Sequence, residues 1–306
     1  MSIEKFISQP PLIVHSSLSQ LRYLVLSEGL SDQGHPRTRS HVWSILSRAS
    51  LEKCTQDYLL LVQLGPPPAN WISKIKNDTF RTLSTDEKFR ARVDEAQLIR
   101  VLSCFAWDVL HHNNNNNNRK TSLPQLSPYV QGMNVLLAPF LYVCPTEPIA
   151  YKLFHTICYQ MIPTYLNQSL SGVHVAAKLL DKCLKIIDPK LSKFLADNLL
   201  TAEIFGIPSI LTLSACNKPL DQVIKLWDFM FAYGFHMNIL FIVAQLVLNR
   251  QAIMVSDSPM NLLRDIPNIN ADEIITLGVG FLAKLPDPLY KNLVDHLTDE
   301  STTSRL

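Results

Sequence analysis

The sequence predicts an all-α protein, and three observations carry that reading. Apolar residues recur at spacings of three and four along almost the whole chain. No segment alternates apolar and polar residues with a period of two between hairpin turns. Finally, 19 prolines against 9 glycines punctuate the periodic stretches, which calls for stiff connections between helices. With 306 residues, 47% of them apolar and 18% charged, the chain can bury a large core.

Residues 1–34 read as an N-terminal helical extension. Its start, MSIEKFISQPPLIVHSS, lacks the basic opening and long apolar run of a signal peptide. The run GPPPANW at 65–71 is predicted as a loop, because successive prolines cannot sit inside a helix. Ser84-Thr85-Asp86-Glu87 has the spacing of a capping box, so a helix should start there and leave Arg81 in or beside a connecting loop. Leu98, Val101, Leu102, Phe105 and Val109 then form a core-facing stripe. HHNNNNNNRKTS at 111–122 reads as a low-complexity, disordered surface loop, with no partner ligand beside its histidines to hold a metal.

Three further stripes follow. They are Ala150, Leu153, Phe154, Ile157, Cys158 and Met161; then Ala176, Leu179, Leu180, Cys183, Leu184 and Ile187; then Val223, Leu226, Trp227, Met230 and Phe231. In the last of these, Asp221, Lys225 and Asp228 fall on the face opposite the stripe. The run ILFIVAQLVL at 239–248 is about half the length needed to cross a bilayer and reads as a core helix. Ile274, Leu277, Gly278, Phe281, Leu282 and Leu285 close the series, and the polar tail TDESTTSRL is predicted to fray. No repeat of fixed period appears, which weighs against a helical solenoid.

Composition excludes several function classes. Lys plus Arg number 28 against 26 Asp plus Glu, which gives no electrostatic case for nucleic acid or membrane as the partner and favours a protein surface. Cys54, Cys104, Cys144, Cys158, Cys183 and Cys216 are dispersed without a C-x-x-C pair, the usage of reduced thiols in the cytosol or nucleus, and no zinc site is predicted. No phosphate-binding glycine pattern is present, so no cofactor or nucleotide of its own is expected.

Two short stretches remain, KIKNDTFRTL at 74–83 and YVQGMNV from Tyr129. Asp78 and Arg81 stand three apart, the spacing of an ordinary surface ion pair on a helix. The same Arg, projected from a rigid base, could instead stabilise charge on phosphoryl oxygens through its planar fork. Gln131 precedes Gly132 at what could be a plain helix start, yet a Gln amide both donates and accepts and can position a water for in-line attack. Together they suggest an Arg and a Gln delivered to a nucleotide held by another protein.

The order of Arg39-x-x-x-Trp43, Ile75-x-x-Asp78-x-x-Arg81-Thr82, Tyr129-x-Gln131-Gly132-Met133 and LWDFMFAYG at 226–234 resembles the TBC domain of Rab-type GTPase-activating proteins. The resemblance spans roughly 35–235, leaving 236–306 as added C-terminal helices packed on the domain. It implies an all-helical fold and a dual-finger mechanism, with Arg81 and Gln131 as catalytic fingers, Asp78, Tyr129 and Gly132 in support, and Arg39, Trp43, Trp227 and Asp228 as structural residues. Arg39 is read as satisfying carbonyls near a buried Trp43. The chain would act on the GTP and Mg of its partner, a small Ras- or Rab-like GTPase.

The segment IIDPKLSKFLADNLLTAEIFGIPSILTLSACNKPLDQVIKLWDFMFAYGFHMN is similar to the fungal branch of the family that restrains mitotic exit in a spindle-position checkpoint. That likeness implies a GTPase of the mitotic exit pathway, a scaffold subunit completing a two-component activator, and residence in the cytoplasm and at the spindle pole body. Pro208-Ser209-Ile210 and Ala215-Cys216-Asn217 depart from the family's usual residues and point away from an ordinary membrane-trafficking Rab. The alternative is a TBC-shaped, catalytically inactive interaction scaffold, which retention of both finger residues disfavours.

Overall fold

The computed structural model describes Ile3 and residues 14–31, 35, 37–116 and 124–305. Among the described residues it contains helices and turns, one isolated β-bridge between Leu126 and Asn167, and no strand. No described helix is long and apolar enough to cross a membrane.

The first half runs α1 (Val14–Glu28), α2 (Thr38–Ser47), α3 (Cys54–Val62), α4 (Ala69–Thr79), α5 (Glu87–Arg92), α6 (Glu95–Asn116), α7 (Met133–Val143) and α8 (Glu147–Thr156). A π-helical turn, Ile157–Met161, and the short α9 (Pro163–Leu166) lead to α10 (Ser171–Ile187) and α11 (Pro189–Asp197). Then come α12 (Ala202–Phe205), α13 (Ile207–Leu211), α14 (Leu220–Tyr233), α15 (Met237–Leu248), α16 (Arg250–Val255), α17 (Pro259–Arg264), α18 (Ala271–Leu282) and α19 (Asp287–Asp295). A 3₁₀ segment, Glu300–Arg305, closes the chain.

The apolar run of α15 is explained by its position. Met237 through Leu246 are all buried, because α10, α13, α14 and α18 pack around this helix. A helix covered on every side has no face on which charge would be tolerated. Its two amides are tied to the segment 209–217. Asn238 Nδ2 donates to the Ser209 carbonyl at 3.0 Å, and Asn217 Nδ2 donates to Gln245 Oε1 at 2.8 Å. In α14, Trp227 and Phe231 meet Trp43 of α2 and Phe140 of α7 in one aromatic cluster. The N-terminal α1 lies against α14, and α18 against both α14 and α15.

Five expectations are corrected. The proline loop ends at Pro68, and Ala69 through Trp71 already belong to α4, since a proline just before a helix loses no hydrogen bond. The residue that caps α5 is Asp86, whose Oδ1 accepts the Phe89 N–H at 2.9 Å, not Ser84. His111 to Asn116 continue α6 instead of forming a loop, and Asn113 Nδ2 donates to the Leu126 carbonyl at 3.0 Å; residues 117–122 of the insertion lie outside the described residues. Asp228 is buried, not on a solvent face. The tail does not fray: Thr302 is buried, and Arg305 bonds Asp295 at 3.0 Å and Asp299 at 2.8 Å.

Candidate functional site

Asp78 occupies the last turn of α4, where burial of Ile75, Asp78 and Thr79 fixes that face of the helix against α6 and α7. The chain then turns through Phe80 and Arg81, and Leu83 takes a left-handed conformation with φ of 43° to reverse direction before α5. The buried Asp78 carboxylate makes two bonds of different purpose. One oxygen accepts from the Arg81 guanidinium, and the other accepts from the Tyr129 hydroxyl at 2.8 Å. Burial, then the adjoining Asp78 charge, pushes the Tyr129 pKa far above the ordinary phenol value, so the hydroxyl stays a donor.

Around this carboxylate the backbone is pinned as well. Asn134 Nδ2 donates to the Asp78 carbonyl at 3.2 Å and to Thr82 Oγ1 at 2.8 Å, and Thr82 Oγ1 donates to the same carbonyl at 3.3 Å. Thus α7 and the end of α4 are bonded through buried groups across more than fifty positions of sequence. The Arg81 side chain remains 55% exposed while its partner is 9% exposed. One edge of the guanidinium is held, and its other N–H groups face outward.

Gln131 lies in a different turn, the one that leads into α7, two residues after Tyr129. It is exposed and makes no hydrogen bond through its amide to the described residues. Gly132 sets that direction: its φ of 105° is left-handed, and a Cβ there would lie 3.1 Å from Leu211 Cδ2. The site therefore consists of an exposed Arg and an exposed Gln, two or three residues away from a shared buried anchor.

Arg39, Trp43, Trp227 and Asp228 form a separate cluster. Asp228 accepts from Arg39 Nε at 3.1 and 3.0 Å and from Trp43 Nε1 at 2.8 Å. Arg39 Nη2 also donates to the Leu30 carbonyl at 3.2 Å, so the carboxylate, more than backbone carbonyls, is what Arg39 satisfies. Trp227 Nε1 donates to the Leu213 carbonyl at 2.9 Å. Helix α7 connects the two clusters, with Asn134 in the first and Phe140 stacked edge-on against Trp43 and Trp227 in the second.

Sequence reading passed over Asn134. The available signal was a lone amide in the first turn of an otherwise apolar helix, MNVLLAPFLYV, which needs a partner when buried. Phe80 was also passed over, and it is 68% exposed next to Arg81.

The Rab-GTPase-TBC domain matches residues 36–254. The chain belongs to that family. Within it, the chain is 64% identical over 303 residues to the mitotic check point protein BUB2 of Saccharomyces cerevisiae, covering 97% of each chain. It is 38% identical to cell division control protein 16 of Schizosaccharomyces pombe, covering 97% of this chain and 94% of the relative. The solved Ypt/Rab-GAP domain of Gyp1p superimposes with a TM-score of 0.70 over 92% of this chain and 98% of that one, at 17% identity, a likeness of fold. In this TBC domain Arg39 lies near the start of the match, and both motif clusters lie inside it.

Proposed function

We propose that this TBC protein is a GTPase-activating protein that restrains mitotic exit, stimulating GTP hydrolysis by a small Ras- or Rab-like GTPase. The observation that carries the catalytic reading is the single buried carboxylate of Asp78, bonded on one side to Arg81 and on the other to Tyr129, two residues before Gln131. A plain surface ion pair has no need of a buried anchor that also orders a second segment. The names of the 64% and 38% identical relatives, a mitotic check point protein and a cell division control protein, support the cellular assignment.

The partner holds GTP and its Mg, and this chain supplies groups in trans. Gln131 orients the attacking water through one amide that donates and accepts. Arg81 stabilises the charge on the transferring phosphoryl oxygens, a contribution of ~10³ to 10⁵ in rate, or about 4–7 kcal/mol of barrier. Asp78 and Tyr129 position the two segments, and Asn134 fixes their backbones. No cofactor of its own enters the reaction. A scaffold subunit covering the remodelled α13–α14 region, and residence at the spindle pole body, complete the proposal.

The test is single-turnover GTP hydrolysis by the mitotic-exit GTPase, with this chain alone and with the scaffold subunit, as wild type and as Arg81→Ala. Acceleration that collapses in the variant while the GTPase still binds supports the activator. Wild type and variant that bind equally and are equally inert in every pairing would establish the interaction scaffold instead.

A further inference from the structure

Helices α6 and α8 lie side by side, and their facing residues assemble a group that the GTPase-facing site does not use. Asp108 and His112 stand one helical turn apart on α6, and His155 projects from the last turn of α8. His155 Nε2 is 3.1 Å from Asp108 Oδ2, and His112 Nε2 is 3.6 Å from Asp108 Oδ1. One ligand atom from each residue lies within 4.8 Å of the others. A tetrahedral zinc ion with bonds of about 2.0–2.2 Å holds its ligand atoms roughly 3.4 Å apart. Each histidine already stands near that separation from one of the two Asp108 oxygens, and the widest gap in the three-atom set, at most 4.8 Å, has to close by up to about 1.4 Å.

The second observation is Tyr159. It is 4% exposed, and its hydroxyl is buried without a hydrogen-bond partner. A phenol in that position ordinarily finds one. Its ring lies 4.5 Å from that of His155 and 5.5 Å from that of His112. Burial, then the charge of Asp108 and its acceptance from the phenol, raise the Tyr159 pKa, so the hydroxyl lies beside the Asp108 carboxylate but outside ordinary hydrogen-bond geometry. The residue sits in the π-helical turn Ile157–Met161, a widened turn of the kind that recurs at functional sites.

We propose that Asp108, His112 and His155 form a zinc-binding site with an open fourth position, in which a metal-bound water or the ligating carboxylate gives the Tyr159 hydroxyl its partner. Two imidazoles and a carboxylate are a donor set suited to zinc. The side chains are 19%, 36% and 23% exposed in the order Asp108, His112, His155, so an ion can enter from solvent. The neighbouring His111 is exposed and turned to Trp107, at 5.6 Å between rings, and takes no part. Bound metal would clamp the C-terminal part of α6, the helix that carries Asn113 to Asn116, onto α8.

The experiment uses the full chain carrying no polyhistidine tag, stripped with chelator and titrated with zinc chloride by calorimetry, and with cobalt(II) by visible absorption. One equivalent of zinc, a tetrahedral cobalt spectrum that zinc displaces, and a raised melting temperature are the expected results. His155→Gln and His112→Gln each weaken binding at least about tenfold, Tyr159→Phe weakens it by about 10- to 100-fold, and His111→Ala leaves it unchanged. Metal-free melting of each variant checks folding, and the part-exposed His112 provides a variant that folds if His155→Gln does not. Absence of zinc binding by the wild type overturns the site, as does binding that survives both glutamine substitutions or depends on His111.

Discussion

At the scale of single residues, the arrangement separates what the proposed fingers, Arg81 and Gln131, would do from what holds them. The Arg81 side chain is 55% exposed, so water screens its pair with the buried Asp78 and takes its place at that carboxylate oxygen when the guanidinium is removed. Arg81→Ala therefore lowers the acceleration of hydrolysis by about 10³-fold or more while the melting temperature stays within a degree or two, and Arg81→Lys fails to rescue because an ammonium lacks the planar fork. Gln131→Ala behaves similarly: single-turnover rate falls, and affinity for the GTPase in its GTP form is retained. A Gln131→Ala protein that unfolds would remove Gln131 from the catalytic pair. Tyr129→Phe differs in kind. It leaves one buried Asp78 oxygen short of a donor, costing about 1–3 kcal/mol of stability and lowering the rate together.

At the scale of elements, α7 is the part on which both clusters depend. Its first turn contributes Asn134 to the network around Asp78, and its Phe140 wedges against Trp43 and Trp227. The aromatic cluster is held in turn by α2 and α14 through one carboxylate. Asp228→Ala leaves the Arg39 guanidinium and the Trp43 indole N–H without that acceptor, and removing one partner of a buried pair costs about 3–5 kcal/mol. Chemical denaturation should read a loss of that size, and a loss below about 1 kcal/mol would mean that water replaces the carboxylate. The spacing at 220–231 revealed the apolar stripe but assigned Asp228 to solvent, because periodicity counts polarity and cannot see a partner on another helix.

At the scale of the whole molecule, the C-terminal helices tie down the fold through buried histidines. His296 Nδ1 lies 2.6 Å from the Leu293 carbonyl, and its Nε2 lies 2.9 Å from the Tyr165 hydroxyl, so the neutral ring satisfies both by donating from Nδ1 and accepting at Nε2. His236 is buried next to Tyr290 and under Gly234. Burial lowers both pKa values from 6.5 to about 4. Between those values the unfolded chain binds protons that the folded chain refuses. The contribution to stability is therefore complete above pH 6.5 and is lost as pH falls toward 4. Melting temperature should fall between pH 7 and pH 5, and His296→Gln should flatten part of that slope. An unchanged slope in the variant would mean that other groups dominate acid sensitivity.

The sequence by itself determined the helical class, most of the core stripes and the order of the motif residues, because each is written in spacings of three to seven positions. It did not determine which polar groups become partners. Asp78 meets Tyr129 across 51 positions, Arg39 meets Asp228 across 189, and Asp108 meets His155 across 47. Nor did composition reveal that His111 to Asn116 remain helical, where the preceding turns of α6 and the Leu126 carbonyl outweigh the weak helix preference of Asn. Those outcomes belonged to the tertiary structure alone. Helix periodicity arises from contacts along one element, whereas the energy of a buried carboxylate or imidazole depends on what another element brings within hydrogen-bond distance.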